Sequence, residues 1–237
     1  MRPADRAEWI ELLTRGSVEL LGRMPWSSNA TFLVALALDG VEGRGVYKPG
    51  RGERPLADFP SDIYRREVAA YELSVAVGLA LVPETVVRAD APYGEGSIQR
   101  FIEADFEQHY FTLVEDPRFA VPLRRLAGLD LLLNNADRKG GHVLRSAEDE
   151  IFGIDNGLSF HVRSKLRTVM WDFAGEPLPS DVQLAAASLA EAVPPSLCEL
   201  IAPFELDALL QRAVELVAEP VFPLPDPNRR THPWPLV

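Results

Sequence analysis

Four charged side chains lie at places where they could do chemistry together: Lys48, Glu67, Asp137 and Asp155. Lys48 ends an apolar alternating stretch, and Glu67 lies on the helix-patterned segment after it. Asp137 follows a leucine-rich run, and Asp155 directly follows Ile151-Phe152-Gly153-Ile154. An ammonium steadied by a carboxylate can hold phosphate oxygens, a second carboxylate can orient a hydroxyl, and a third can bind a divalent ion. Such a set suits phosphoryl transfer from ATP. Only three lysines, Lys48, Lys139 and Lys165, stand among 24 basic residues. Where arginine is used so freely, a retained lysine points to a need for a compact ammonium. Taken singly, each residue has a plainer use: a solvated cation, a surface ion pair on a helix, or a turn cap.

To act jointly these residues need elements that bring them together. Residues 4–14 carry Ala7, Ile10 and Leu13 at helical spacing. Stretches 16–22 and 31–38 read as strands, Asp39-Gly40 closes the second, and a third over 45–50 stops at Pro49. After a loop rich in Gly, Pro and charge, Ser61 or Asp62 can cap a helix to about Leu79, striped by Ile63, Val68, Tyr71, Val75 and Leu79. Stretches 84–88 and 97–102 read as two more strands. From Glu103 the pattern turns helical: a buried helix over 122–134, short strands at 143–144 and 151–154, then helices near 182–192 and 204–217. The proline-rich stretch from Pro220 reads as an extended arm, packed on the surface or loose.

Composition narrows the classes. The chain has 237 residues, 47% hydrophobic and 25% charged, with 24 Lys and Arg against 35 Asp and Glu for a net charge of -11. That balance fits a globular protein and disfavours nucleic acid or a stable association with an anionic membrane. The lone Cys198 excludes an internal disulfide. The longest apolar runs fall short of a membrane span and the opening residues lack a signal-peptide pattern, so a cytoplasmic location is expected.

Three blocks carry a resemblance: SDIYRREVAAYEL at 61–73, NNADRKGGHVL at 134–144 and IDNGLSF at 154–160. In combination they resemble the phosphatidylinositol 3-/4-kinase family, and more narrowly its small bacterial, actinobacterial branch. The similarity spans residues 16–179. It implies an α+β, two-lobed, atypical protein-kinase-like fold: a small antiparallel-sheet N-lobe over 1–103, a mainly helical C-lobe over 104–219 and a tail over 220–237. By resemblance Lys48 contacts the phosphates and pairs with Glu67, Asp137 is the catalytic-loop aspartate and Asp155 holds the metal. The loop containing Ser27, Ser28 and Asn29 falls where the family covers the phosphates. Gln99, Phe101 and Ile102 fall where its backbone reads adenine.

Two positions depart from the family block, which usually reads Asp-Arg-His-x-x-Asn. Lys139 stands at the His position and His142 at the Asn position. An imidazole in place of an amide oxygen implies either one essential metal on Asp155 or a preference for Mn²⁺ over Mg²⁺. Asn156 is a second candidate for the metal shell, and Lys139 or Arg138 for offsetting charge on the transferred group. The segment after Asp155 carries His161, Arg163, Lys165 and Arg167, a basic run that suits either an anionic headgroup or local carboxylate pairs. The favoured acceptor is a protein Ser or Thr, the chain's own Ser159, Ser164 or Thr168 included. Alternatives are a phosphoinositide or small-molecule kinase, a catalytically silent nucleotide-binding regulator, and a metal-dependent phosphohydrolase built on Asp137, His142, Asp155 and His161. The last has no need of the Lys48/Glu67 pair.

Overall fold

A computed structural model describes residues 1–24 and 29–237. Helix α1 (Arg6–Arg15) starts at Asp5, whose carboxylate accepts the Glu8 amide at 3.0 Å. Strands β1 (Ser17–Arg23), β2 (Phe32–Leu38) and β3 (Val41–Pro49) follow, then helix α2 (Ile63–Ala76) and strands β4 (Thr85–Arg88) and β5 (Gly96–Arg100). The five strands form one antiparallel sheet in the order β1-β2-β3-β5-β4. β3 begins earlier than its alternation suggests because Asp39 and Gly40, with φ of 49° and 82°, make a two-residue turn that sends the chain straight back.

Strand alternation divides the sheet into two faces. Val34, Leu36, Tyr47 and Ile98 pack with Leu12 and Leu13 of α1. On the opposite face the register sets Val46 beside Leu33 and Gln99, and Lys48 beside Ser97. Lys48 therefore leaves the strand on the face away from α1.

The rest of the chain is mainly helical: α3 (Tyr110–Leu113), α4 (Ala120–Leu133), the β6 (Val143–Arg145) and β7 (Ile151–Gly153) hairpin, α5 (Ser180–Glu191) and α6 (Pro203–Ala218). The core gathers Leu123, Leu126, Leu129, Leu132 and Leu133 of α4 with Val182 and Leu189 of α5 and Leu209 and Ala213 of α6. Ala69, Ala70, Tyr71 and Leu73 of α2 belong to the same cluster. The helix that carries Glu67 is thus anchored in the core of the helical lobe. This arrangement is an α+β, two-lobed, kinase-like fold, with a small sheet lobe over a helical one.

The tail is packed, and sparsely. Leu178 donates to the Pro220 carbonyl at 2.9 Å, Thr168 to that of Thr231 at 3.0 Å, and Gly140 to that of Leu236 at 2.7 Å. Among the described residues no helix is long and apolar enough to cross a membrane.

Candidate active site

Lys48, Glu67, Asp155 and His142 meet between the lobes. The Lys48 ammonium donates to Glu67 Oε1 and, at 2.7 Å, to Asp155 Oδ1; His142 Nε2 lies 3.2 Å from Asp155 Oδ2. The second Glu67 oxygen accepts the Asn156 backbone amide at 2.9 Å. One carboxylate on α2 therefore ties the β3 lysine to the chain leaving β7. That chain turns sharply because Asp155 adopts a left-handed conformation with φ of 56°, which Asp tolerates better than bulkier residues. Gly157 follows, where a Cβ would stand 2.5 Å from Ile63 Cγ2 and 3.2 Å from Glu67 Oε1. Only glycine lets this loop approach α2 so closely.

The electrostatics follow from burial and charge. Lys48 holds the Asp155 carboxyl well below the ordinary carboxylate range, against the opposing effect of burial. Burial works against the Lys48 charge, but Asp155 and Glu67 outweigh it and the ammonium is raised. Burial pushes Glu67 up, with Lys48 pulling back. His142 is driven down by burial to about 4, which leaves the ring neutral at pH 7.

Asp137 begins a turn framed by buried polar residues. Its amide donates to Asn135 Oδ1 at 2.9 Å, and its carboxylate accepts from Lys139 Nζ at 2.8 Å. Burial raises the Asp137 carboxyl, Lys139 counters, and Asp155 lies near enough to raise it further. Beneath the turn Arg138 is fully enclosed. Its guanidinium forks onto both Asp130 oxygens at 2.8 Å each and reaches the Ile154 carbonyl at 2.7 Å and Asn156 Oδ1 at 2.6 Å. Arg138 and Asn156 are thereby removed from the expected roles: both are 0% exposed and committed to this network. Asp130 had no assigned role from the sequence. Its signal was an acid in the middle of a leucine-rich helix, where a buried charge requires a partner.

The remaining expected residues divide. Ile102 joins Leu144 and Phe152 in a small apolar cluster between sheet and hairpin, and its backbone amide and carbonyl have no hydrogen-bond partner among the described residues. Phe101 and Ile102 line a cavity of about 760 Å³ together with Ala35, Arg44 and Ser146. The Phe101 amide is taken by the Arg44 carbonyl at 3.0 Å, and the buried Gln99 side chain donates to Thr85 Oγ1 at 2.9 Å. Asn29 Oδ1 accepts the Arg54 amide at 3.1 Å and so braces a loop. Ser27 and Ser28 lie outside the described residues. Ser159 is fully buried and the Thr168 hydroxyl is buried and accepts the Met170 amide, so neither can be phosphorylated in this conformation; Ser164 is exposed.

Among the described residues no three His, Cys, Asp or Glu side chains converge as an ion site. Asp155 and His142 supply one carboxylate and one imidazole. Such a pair fits an ion that arrives already holding phosphate oxygens and fits poorly an ion held by protein alone.

No protein-family model matches the chain. Among solved structures, hydra Fam20, determined with sugar, superposes with a TM-score of 0.55 at 14% identity, over 92% of this chain and 90% of that one. This likeness concerns the fold. The Helicobacter pylori proinflammatory kinase CtkA gives a TM-score of 0.49 at 14% identity, over 88% of this chain and 94% of its own. Protein Rv2133c of Mycobacterium tuberculosis is 37% identical across 94% of each chain, and on that match this chain belongs to the same family as Rv2133c.

Proposed function

We propose that this chain transfers the γ-phosphoryl group of ATP to a hydroxyl, with a protein Ser or Thr as the favoured acceptor and its own Ser164 among the candidates. The observation that carries the reading is the Lys48 ammonium held between Glu67 and Asp155 where the two lobes meet. A structural ion pair needs one carboxylate; a partly buried lysine poised between two is arranged to exchange one of them for phosphate oxygens.

In this reading the adenine ring lies in the cavity beside Phe101 and Ile102, against Ala35 and Ala37 of the sheet, and the free Ile102 backbone groups can read its edge. Lys48 turns from Asp155 to the phosphates while Glu67 keeps it aimed. Asp137 orients the attacking hydroxyl and accepts its proton, and Lys139 offsets charge on the transferred group. Asp155 and His142 would hold a divalent ion, which neutralises charge across the phosphates when bound. The neutral imidazole favours Mn²⁺ over Mg²⁺ there.

The narrower kinship with phosphatidylinositol 3-/4-kinases rests on the three sequence blocks. Because hydra Fam20 was determined with sugar, a small-molecule alcohol stands as the second acceptor class. The test is transfer from γ-labelled ATP to dephosphorylated protein, sugars, lipid extract or water, with Mn²⁺ and with Mg²⁺. Asp155→Ala is expected to abolish transfer, and Asp137→Ala to reduce transfer at least tenfold more than nucleotide affinity. Equal losses of binding and transfer in both variants would refute the assignment.

A further inference from the structure

The turn between the two functional side chains Lys139 and His142 is covered by the chain's own tail. Gly140 donates its amide to the Leu236 carbonyl at 2.7 Å, and a Cβ on Gly141 would touch Val237 at 3.7 Å. A Cβ on Gly140 would stand 3.0 Å from the Phe111 ring and 3.4 Å from the Leu236 oxygen, so the seat is shaped closely around the tail backbone. Further back, the Thr231 carbonyl accepts the Thr168 amide at 3.0 Å and Trp171 Nε1 at 3.1 Å. Thr168 also bridges to Arg138, beside Asp137. The tail thus follows the segment after Asp155 and reaches the catalytic turn through main-chain contacts that any extended polypeptide could make.

Its attachment is light. Between residues 223 and 237 only Pro233 is buried, while Leu224 is 73% and Trp234 76% exposed. A cavity of about 470 Å³ opens between the tail and residues 163–167. A segment with so few buried apolar contacts opens at small cost.

We propose that residues 231–237 occupy, in cis, the docking path of an extended polypeptide acceptor, which must displace them to bring its hydroxyl to Asp137. The inference rests on the phosphotransfer reading for its chemistry and on the observed tail contacts for its geometry.

The test uses the 237-residue chain carrying Pro233→Lys with Leu236→Lys, which sets two ammonium groups in the seated stretch and leaves Lys48, Glu67, Asp137 and Asp155 unchanged. The KM for dephosphorylated casein is expected to fall about tenfold, as release of a cis occupant present in about nine molecules of ten requires. ATP hydrolysis without acceptor stays the same. A fluorescein-labelled peptide of residues 228–237 binds the variant more tightly than the unmodified chain, and casein displaces it. In the unmodified chain, excess casein moves the nuclear magnetic resonance signals of residues 231–237 to those of a free chain end, a readout that does not depend on the variant's folding. An unchanged casein KM in a variant whose Gly140 amide exchanges freely overturns the proposal, as do signals of residues 231–237 that stay put under saturating casein. Peptide binding as described with no ATP turnover in either protein sinks the phosphotransfer reading and leaves the docking path standing.

Discussion

Lys48 and Glu67 show why single substitutions at this site must be read with care. Glu67 is 3% exposed, and its carboxylate is tolerated there because the ammonium and the Asn156 amide answer it. Lys48→Met removes the counter-charge and is expected to cost about 3 kcal/mol in stability in addition to activity. The pair Lys48→Met with Glu67→Gln should recover most of that stability and none of the transfer, as urea unfolding and the labelled-ATP assay would show. Residue type and order in the sequence pointed to Lys48, Glu67 and Asp155 because few other arrangements place an ammonium and two acids at the ends of apolar elements. Arg138 was misjudged because a cation beside an acid in a polar loop reads as exposed. Its burial depends on Asp130, eight positions back on α4, which it meets because the chain turns back at Asn134, with φ of 52°, after the helix ends.

Among the elements, α2 has the greatest consequence. It follows β3 in sequence, yet Ala69, Ala70 and Leu73 are buried in the helical lobe's core. Its apolar stripe announced a helix packed on something; the partner surface depends on contacts between residues far apart in sequence. Gly157 holds the other side of that contact. Gly157→Ala would press a methyl group into Ile63 and crowd Glu67, at a cost of about 1–3 kcal/mol for overpacking. A shift of α2 by even about 1 Å should lower kcat/KM for ATP on the order of a hundredfold. Steady-state kinetics alongside a thermal melt would check this, and a variant with normal kinetics would show that the loop relaxes without moving Glu67. The reach of β3 back to Val41 escaped the sequence reading for a simple reason. Gly43 and Gly45 interrupt its alternation, and they are there because a Cβ would strike Trp9 and Ile98 at 2.7 Å each.

At the level of the whole molecule, a helix shared between the lobes makes unfolding of one lobe costly for the other. We expect a single cooperative thermal transition, seen alike by near- and far-ultraviolet circular dichroism. ATP at a hundredfold excess over its Kd should add about 2.7 kcal/mol. For a chain of this length that is a rise of about 5–10 °C in Tm. The Lys48→Met/Glu67→Gln variant should lose most of the rise, and a full shift in that variant would place the nucleotide elsewhere.

The sequence by itself determined the element types, the division into a strand-rich and a helical part, and the identity of the charged residues with chemical potential. Hydrophobic period, turn residues and the rarity of lysine are local properties that one chain displays. Tertiary structure alone decided that Asp155 shares the Lys48 ammonium with Glu67, that Arg138, Asn156 and Ser159 are sealed inside, and that the tail rests on Gly140. Burial and counter-charge are set by residues far away along the chain, and no local pattern records which of them will arrive.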